Sequence, residues 1–143
     1  MPGFDPSDGT VRRVLEKTRT VALVGASPRG PSRASLRVMR FLQERGCNVY
    51  PVNPEALGAT LHGETVYASV RDVPAKIDMV DIFRRSSLVA PVVDDAIAVG
   101  ARFVWMQLGV IDETAAAKAE EAGLTVIMDR CPTIEWPRLF AAA

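Results

Sequence analysis

A short apolar segment, followed by a glycine-containing loop and an amphipathic segment, constrains this chain more than any other feature. Thr20–Val24 is rich in β-branched and apolar residues, which predicts a strand buried on both faces. Gly25 ends it, and Pro31 and Ser32 mark the start of a helix whose apolar residues run from Leu36 to Leu42. A strand, a glycine loop and a helix in this order aim free backbone N–H groups at an anion, usually a phosphate. The sequence therefore predicts the binding end of a nucleotide-binding domain.

Composition excludes several other classes of protein. The 143 residues suit one domain, 48% are hydrophobic, and 17 basic residues balance 17 acidic ones, so no basic field for nucleic acid or a membrane surface is expected. No apolar run approaches the roughly 20 residues that span a bilayer, and residues 1–5 lack the features of a signal peptide. Cys47 and Cys131 form no CxxC pair, which favours free thiols and a cytoplasmic location.

Apolar segments alternate with amphipathic ones along the whole chain, which predicts βαβ units and a parallel sheet. Further strands are predicted at 47–52, 77–83, 103–106 and 124–128. We therefore expect an α/β protein with a Rossmann-like, three-layer α/β/α fold and five parallel strands in the order 3-2-1-4-5. A ligand in such a sheet lies beyond the carboxyl ends of the strands where the winding reverses, here between the first and fourth strands.

The loop after the first strand has the spacing G-x-S-x-x-G, with Ser27 where the dinucleotide fingerprint has a second glycine. Ser27 keeps the backbone N–H and adds a hydroxyl, Pro28 stiffens the loop, and Arg29 and Arg33 are placed to neutralise a phosphate. The alternative is an ordinary glycine turn followed by solvated arginines. The surrounding strand and helix favour phosphate binding.

The other strand ends add a short set of candidate residues. An NAD site needs an acid at the end of the second strand, and Val52, Asn53 and Pro54 stand there instead. Arg84, beside Phe83, is placed to point inward, whereas Arg85 is expected at the surface. Gln107, between Met106 and Leu108, is an uncharged polar group that fits a carbonyl, an amide or a base edge, or else caps the next turn.

No catalytic constellation is evident. His62 is the single histidine and lies in the irregular segment 55–76, so neither a Ser/His/Asp triad nor a zinc site can be assembled. Asp78 and Asp81 flank a predicted strand, where edge and capping roles are expected. This pattern favours a binding module over an enzyme.

Five ordered motifs resemble the stand-alone CoA-binding domain proteins. They are Val21-Ala22-Leu23-Val24-Gly25-Ala26-Ser27, Val52-Asn53-Pro54, Val80-Asp81-Ile82-Phe83-Arg84, Val104-Trp105-Met106-Gln107-Leu108-Gly109 and Met128-Asp129-Arg130-Cys131. That family is similar to the CoA-binding domain of the succinyl-CoA synthetase α subunit and of NDP-forming acyl-CoA synthetases. The resemblance implies that coenzyme A binds across the carboxyl edge of the sheet. Because no catalytic constellation is evident, we expect a protein that binds coenzyme A, or a short acyl-CoA, without catalysis.

The resemblance also implies roles for individual residues. Gly25, Ala26, Ser27, Pro28 and Arg29 match the segment near the CoA phosphates. Val52, Asn53 and Pro54 match the adenosine side, Phe83 and Arg84 the phosphate and pantetheine region, and Met106, Gln107 and Leu108 the segment facing the pantetheine arm.

One departure is Trp136, which stands where the family's tail commonly has a histidine. The alternatives are an NAD(P)-dependent oxidoreductase and a regulatory or interaction subunit that has kept the fold without the ligand. A homo-oligomer or an acyl-CoA enzyme remains open as a partner.

Overall fold

A computed structural model describes residues 6–27, 29 and 33–140. Its five α-helices are α1 (Asp8–Lys17), α2 (Ala34–Glu44), α3 (Val89–Ala98), α4 (Glu113–Glu121) and α5 (Pro132–Phe140). Its seven strands are β1 (Thr20–Val24), β2 (Asn48–Val52), β3 (Thr60–Leu61), β4 (Glu64–Thr65), β5 (Met79–Ile82), β6 (Phe103–Met106) and β7 (Thr125–Ile127). Short 3-10 turns cover Pro54–Ala56, Val70–Asp72 and Ser86–Leu88. None of the helices in this part of the chain is long and apolar enough to cross a membrane.

Five strands form one parallel sheet with helices on both faces, which confirms the predicted Rossmann-like α/β/α class. One face of the sheet packs with α3 and α4 around Val80, Val104 and Met106. The other face packs with α1, α2 and α5 around Leu23 and Trp105. Strands β3 and β4 form a separate antiparallel hairpin.

The predicted strand order is wrong. The sheet runs β2-β1-β5-β6-β7. The third predicted strand, β5, therefore pairs with β1 instead of β2, and β2 is an edge strand. The reversal of winding therefore falls between β1 and β5. Pro51 explains the arrangement, since a proline cannot donate to a sheet ladder and suits an edge strand. The outer edge of β2 is covered by Tyr67, whose N–H donates to the Pro51 carbonyl oxygen over 3.0 Å.

Side chains cap two of the helices. Ser7 caps α1 by accepting from the Thr10 N–H, and Asp112 caps α4 by accepting from the Ala115 N–H. The sequence also predicts that Ser86 or Ser87 caps the helix after β5, and this is wrong, because α3 has no side-chain cap. Ser86 does not face that helix end with its hydroxyl. Its hydroxyl instead accepts from the Ile111 N–H over 2.9 Å, so it ties the loop after β5 to the loop after β6. The predicted helix start at Pro31 and Ser32 lies outside the described residues.

Asp81 lies in the middle of β5 and is fully buried, which corrects its assignment to a strand edge. It pairs in register with Leu23 and Trp105, so it faces the layer of α1, α2 and α5. Neither carboxylate oxygen has a hydrogen-bond partner in the described part of the chain. Burial without a partner disfavours the charged form, and it raises the pKa of Asp81 well above its ordinary value of 3.8. Asp78, by contrast, takes the expected capping role and accepts from the Arg19 and Thr20 N–H groups.

We expect Asp81→Asn to flatten the pH dependence of stability. A raised pKa means that the folded state holds the proton more tightly than the unfolded chain does. The contribution of Asp81 to the free energy of unfolding is therefore fully present below about pH 4. It is lost as pH rises through the raised pKa, by at most about 1.4 kcal/mol per pH unit. Urea unfolding at a series of pH values measures the slope, with Glu121→Gln as a control that removes an exposed carboxylate. Equal slopes for wild type and Asp81→Asn would contradict this origin of the pH dependence.

Candidate functional site at the carboxyl edge of the sheet

Backbone hydrogen bonds gather the predicted site segments at one edge of the sheet. The Gly25 N–H donates to the Val52 carbonyl oxygen over 2.8 Å, and the Phe83 N–H donates to the Val24 carbonyl oxygen over 2.8 Å. The Gln107 N–H donates in turn to the Ile82 carbonyl oxygen over 3.3 Å. The ends of β2, β1, β5 and β6 are thereby fixed side by side.

Gly25 is required by both its backbone conformation and its surroundings. Its φ of +89° lies in the left-handed region that glycine adopts without steric cost. A Cβ atom at this position would overlap the carbonyl oxygen of Phe83 and lie 3.1 Å from Cδ of Arg84. The glycine loop therefore packs directly on the segment after β5, with the stem of Arg84 against it.

The polar groups of Ser27 are engaged within the protein. Its N–H donates to Oγ of Ser35 over 3.0 Å, and its hydroxyl oxygen accepts from the Arg29 N–H over 3.1 Å. The sequence predicted that this N–H and this hydroxyl face an anion, whereas here they hold the turn of the loop. Pro28 and residues 30–32 lie outside the described residues.

Asn53 also supports the loop. It is 7% exposed, its side-chain NH₂ donates to the Ala26 carbonyl oxygen over 3.0 Å, and its side-chain oxygen accepts from the Glu55 N–H. One side chain thus fixes the glycine loop and starts the turn at Pro54–Ala56. This explains an amide, in place of an acid, at the end of β2.

A groove of about 710 Å³ opens beside these strand ends, within the size range of small-molecule sites. Its cationic lining consists of Arg37, Arg84 and Arg85, and Glu55 is the one carboxylate among the described lining residues. Hydrogen-bond and ion-pair partners are absent for all three guanidinium groups within the described part of the chain. Since the whole chain has a formal net charge of zero, the groove is a local concentration of positive charge.

Apolar side chains also line the groove. Phe83, Leu88, Leu108 and Val110 line it, and Leu108 is 57% exposed at its rim. Gln107 lines it too, is only 5% exposed, and its side-chain oxygen has no hydrogen-bond partner among the residues described. One groove thus combines positive charge, apolar surface and an unsatisfied acceptor.

The loop after β6 is held in place from two sides. The Gly109 N–H donates to the Asp129 carboxylate over 2.7 Å, and Asp129 itself adopts a positive φ of 60°. Ser86 donates to the Gly109 carbonyl oxygen over 3.4 Å in addition to its contact with Ile111. A non-glycine residue in the left-handed region persists only where its surroundings hold it, so this wall of the groove is preformed.

The structure separates the predicted site residues by their burial and by the groove that they line. Phe83, Arg84, Gln107 and Leu108 line the groove at the strand ends. Outside its lining, Ala26, Val52, Asn53 and Met106 are buried, whereas Arg29 and Pro54 are exposed. Arg33 lines a second groove of about 800 Å³ along the outer face of α2, where Arg37 is shared between the two grooves.

The sequence analysis did not assign Arg37, Cys131 or Thr133 to the site, although all three line the groove. A signal for Arg37 existed, because it follows Arg33 by four residues, the spacing that places two side chains on one helix face. Cys131 and Thr133 follow β7 at the start of α5, and the order of the strands brings them to this edge.

The remaining chemical candidates are structural. His62 joins the hairpin to α2 through Arg40 and the Leu36 carbonyl oxygen. Trp136 packs between Phe41 and Phe140, with ring centroids 6.5 and 4.4 Å away, and is not among the groove residues. Within residues 6–27, 29 and 33–140, no cluster of His, Cys, Asp and Glu is suited to a metal ion.

Comparison with known proteins decides the family. The model of the family described as CoA binding domain matches residues 19–137. The chain belongs to the CoA binding domain family. This CoA binding domain is 35% identical over 130 residues to the protein YneT of Bacillus subtilis (strain 168), across 89% of this chain and 92% of YneT.

Two solved structures extend the comparison of this CoA binding domain. A hypothetical protein from Pyrococcus horikoshii OT3 superposes with a TM-score of 0.88 at 39% identity, over 99% of this chain and 97% of that one. The dinucleotide forming acetyl-coenzyme A synthetase 1 of Ca. Korarchaeum cryptofilum, in complex with phosphate and ADP, gives a TM-score of 0.70 at 28% identity. That match covers 83% of this chain but only 27% of the synthetase.

Proposed function

We propose that this protein binds coenzyme A, or a short acyl-CoA, in the groove at the carboxyl edge of the sheet. The observation that carries the proposal is that one groove is lined both by three arginines without partners among the described residues and by apolar side chains. Coenzyme A combines the matching groups, because its phosphates are anionic whereas its pantetheine arm is largely apolar with two amide groups. Unpaired arginines are suited to the phosphates.

The polar details of the groove support this ligand. The stem of Arg84 packs against Gly25, at the junction of the glycine loop and the β5 end. The unsatisfied oxygen of Gln107 fits an amide N–H of pantetheine. A buried acceptor without a partner costs about 1 to 3 kcal/mol, and a bound amide donor would remove that cost.

The membership in the CoA binding domain family supports the same ligand. The NAD(P) alternative has one observation in its favour, since Glu55 lines the groove near the end of β2. Asn53, which directly follows β2, is committed to the glycine loop and is not free for a ribose. The balance of charge in the groove favours a ligand with several phosphates over one that needs a ribose-binding acid.

Thermal unfolding in the presence of ligands tests the proposal. Coenzyme A at 100 times its dissociation constant should stabilise the fold by about 2.7 kcal/mol, visible as a higher Tm. NADH at the same concentration should leave Tm unchanged. A rise in Tm with NADH and none with coenzyme A would favour the oxidoreductase, and no rise with either would favour a subunit that has lost its ligand.

A further inference from the structure

Cys131 lies at the same groove in an unusual position for a cysteine. It directly precedes α5, and its carbonyl oxygen accepts from the Ile134 and Glu135 N–H groups over 3.0 and 2.9 Å, which makes it the N-terminal cap of that helix. Its thiol is free, 8% exposed, and lies 3.0 Å from the hydroxyl of Thr133. Cysteines at helix N-termini beside cationic side chains are the typical reactive ones.

A second, independent observation points to a ligand at this end of the groove. Gln107 is 95% buried and lines the groove together with Cys131, and its buried side-chain oxygen is satisfied by no described residue. A native structure leaves few such groups, and each requires an explanation. A ligand amide that donates to this oxygen would lie in the groove that Cys131 also lines.

We propose that Cys131 is a site of reversible mixed-disulfide formation with the thiol end of coenzyme A. This rests on the proposed function, because the bound pantetheine arm must run past Gln107 for its sulfur to reach Cys131. The reaction partner is a disulfide of coenzyme A. The Cys131 thiolate attacks one sulfur of that disulfide, a new S–S bond joins Cys131 to one CoA, and the second CoA leaves as its thiolate.

The step leaves the oxidation state of the system unchanged, since one disulfide is consumed and one is formed. The proton lost by the Cys131 thiol ends on the departing CoA thiolate at neutral pH. A low-molecular-weight thiol in excess reverses the reaction by the same exchange. The protein would then respond to the ratio of CoA disulfide to CoA thiol, in addition to binding CoA reversibly.

Cys47 provides a matched control within the same chain. It directly precedes β2, its thiol lies 3.6 Å from the Thr18 carbonyl oxygen, and it is not among the residues that line the groove. Desolvation by burial raises the pKa of the Cys47 thiol, which lowers its thiolate population at neutral pH. The two cysteines therefore differ in helix position and in whether they line the groove.

The test is intact-mass measurement of the reduced full-length protein after incubation with symmetric CoA disulfide under non-reducing conditions. We expect one adduct with the mass of CoA less two hydrogens, retained by Cys47→Ser, lost in Cys131→Ser and removed by excess dithiothreitol. Pantethine lacks the phosphates, and since a cationic site raises encounter rates by 10- to 1000-fold, it should react on the order of tenfold more slowly.

Equal rates with CoA disulfide, pantethine and glutathione disulfide would overturn the proposal, because a merely accessible thiol reacts in that way. Reversible CoA binding by Cys131→Ser, measured by calorimetry, separates the two levels of the account. If wild type binds CoA but forms no adduct at Cys131, the mixed disulfide is wrong and the proposed function stands. If wild type does not bind CoA at all, both are wrong.

Discussion

Gly25→Ala is expected to destabilise the protein by about 2 to 5 kcal/mol, which would be among the largest effects of any single substitution outside the core. Two costs add at this position. A left-handed φ of +89° is unfavourable for any residue with a Cβ atom. The new Cβ would also overlap the Phe83 carbonyl oxygen, and this oxygen belongs to a strand end that cannot move without disturbing the sheet. In the folded fraction, CoA affinity should fall by more than about tenfold, or 1.4 kcal/mol.

Gly46→Ala is the matched control. Gly46 has nearly the same φ of +88°, but a Cβ atom there would meet nothing within 4 Å. It should therefore cost only about 1 to 2 kcal/mol and leave CoA affinity unchanged. Urea unfolding and calorimetric titration of both variants give the comparison. Equal stability losses would show that the contact with Phe83 is unimportant.

Arg84→Ala should weaken CoA binding by about 1.5 to 3 kcal/mol, the usual range for a hydrogen bond to a charged group. In dissociation constant this is roughly a ten- to hundredfold loss. Pantetheine binding should change little, because pantetheine lacks the phosphates that the guanidinium is expected to pair with. A loss of affinity for coenzyme A that is larger than the loss for pantetheine shows the effect of the missing charge, because general damage to the groove would weaken both ligands alike.

Arg102→Ala is the control for net charge. Arg102 is an exposed arginine that precedes β6, so it lies at the opposite edge of the sheet. Its removal should alter neither affinity. Titration of each variant with coenzyme A and with pantetheine provides the four values needed, and equal losses for both ligands in Arg84→Ala would refute the pairing of Arg84 with phosphate.

The fold class was predictable from the sequence because its signals are local. The β-branched run of β1, the glycine that ends it and the capping residues Ser7 and Asp112 each act within a few positions of the chain. The strand order was mispredicted because it depends on where the segment between β2 and β5 crosses the sheet. Pro51 held the relevant information, since its missing N–H marks β2 as an edge strand.

The candidate site was predictable at the level of segments but not of side chains. The strand ends meet as expected, yet successive residues at a strand end point to opposite faces of the sheet. Met106 therefore lies in the core with α3 and α4, whereas Gln107 lines the groove. Asn53 follows β2 as predicted. Its hydrogen bond to the Ala26 carbonyl oxygen could not be predicted, because it joins residues 27 positions apart in the chain.

Groove residues that come from helices could not be predicted from the strand ends. Arg37 enters the groove from α2 and Cys131 from the start of α5, so both depend on how these helices pack on the sheet. Asp81 illustrates the opposite case. Its sequence position suggested an ordinary capping carboxylate, and only the register with Leu23 and Trp105 shows that it is buried.

The most direct measurement is a crystal structure of the protein soaked with coenzyme A under reducing conditions. The account predicts phosphates beside Arg84 and Arg37, a pantetheine amide that donates to the side-chain oxygen of Gln107, and the sulfur next to Cys131. Coenzyme A bound elsewhere, with the groove at the carboxyl edge of the sheet left empty, would contradict it.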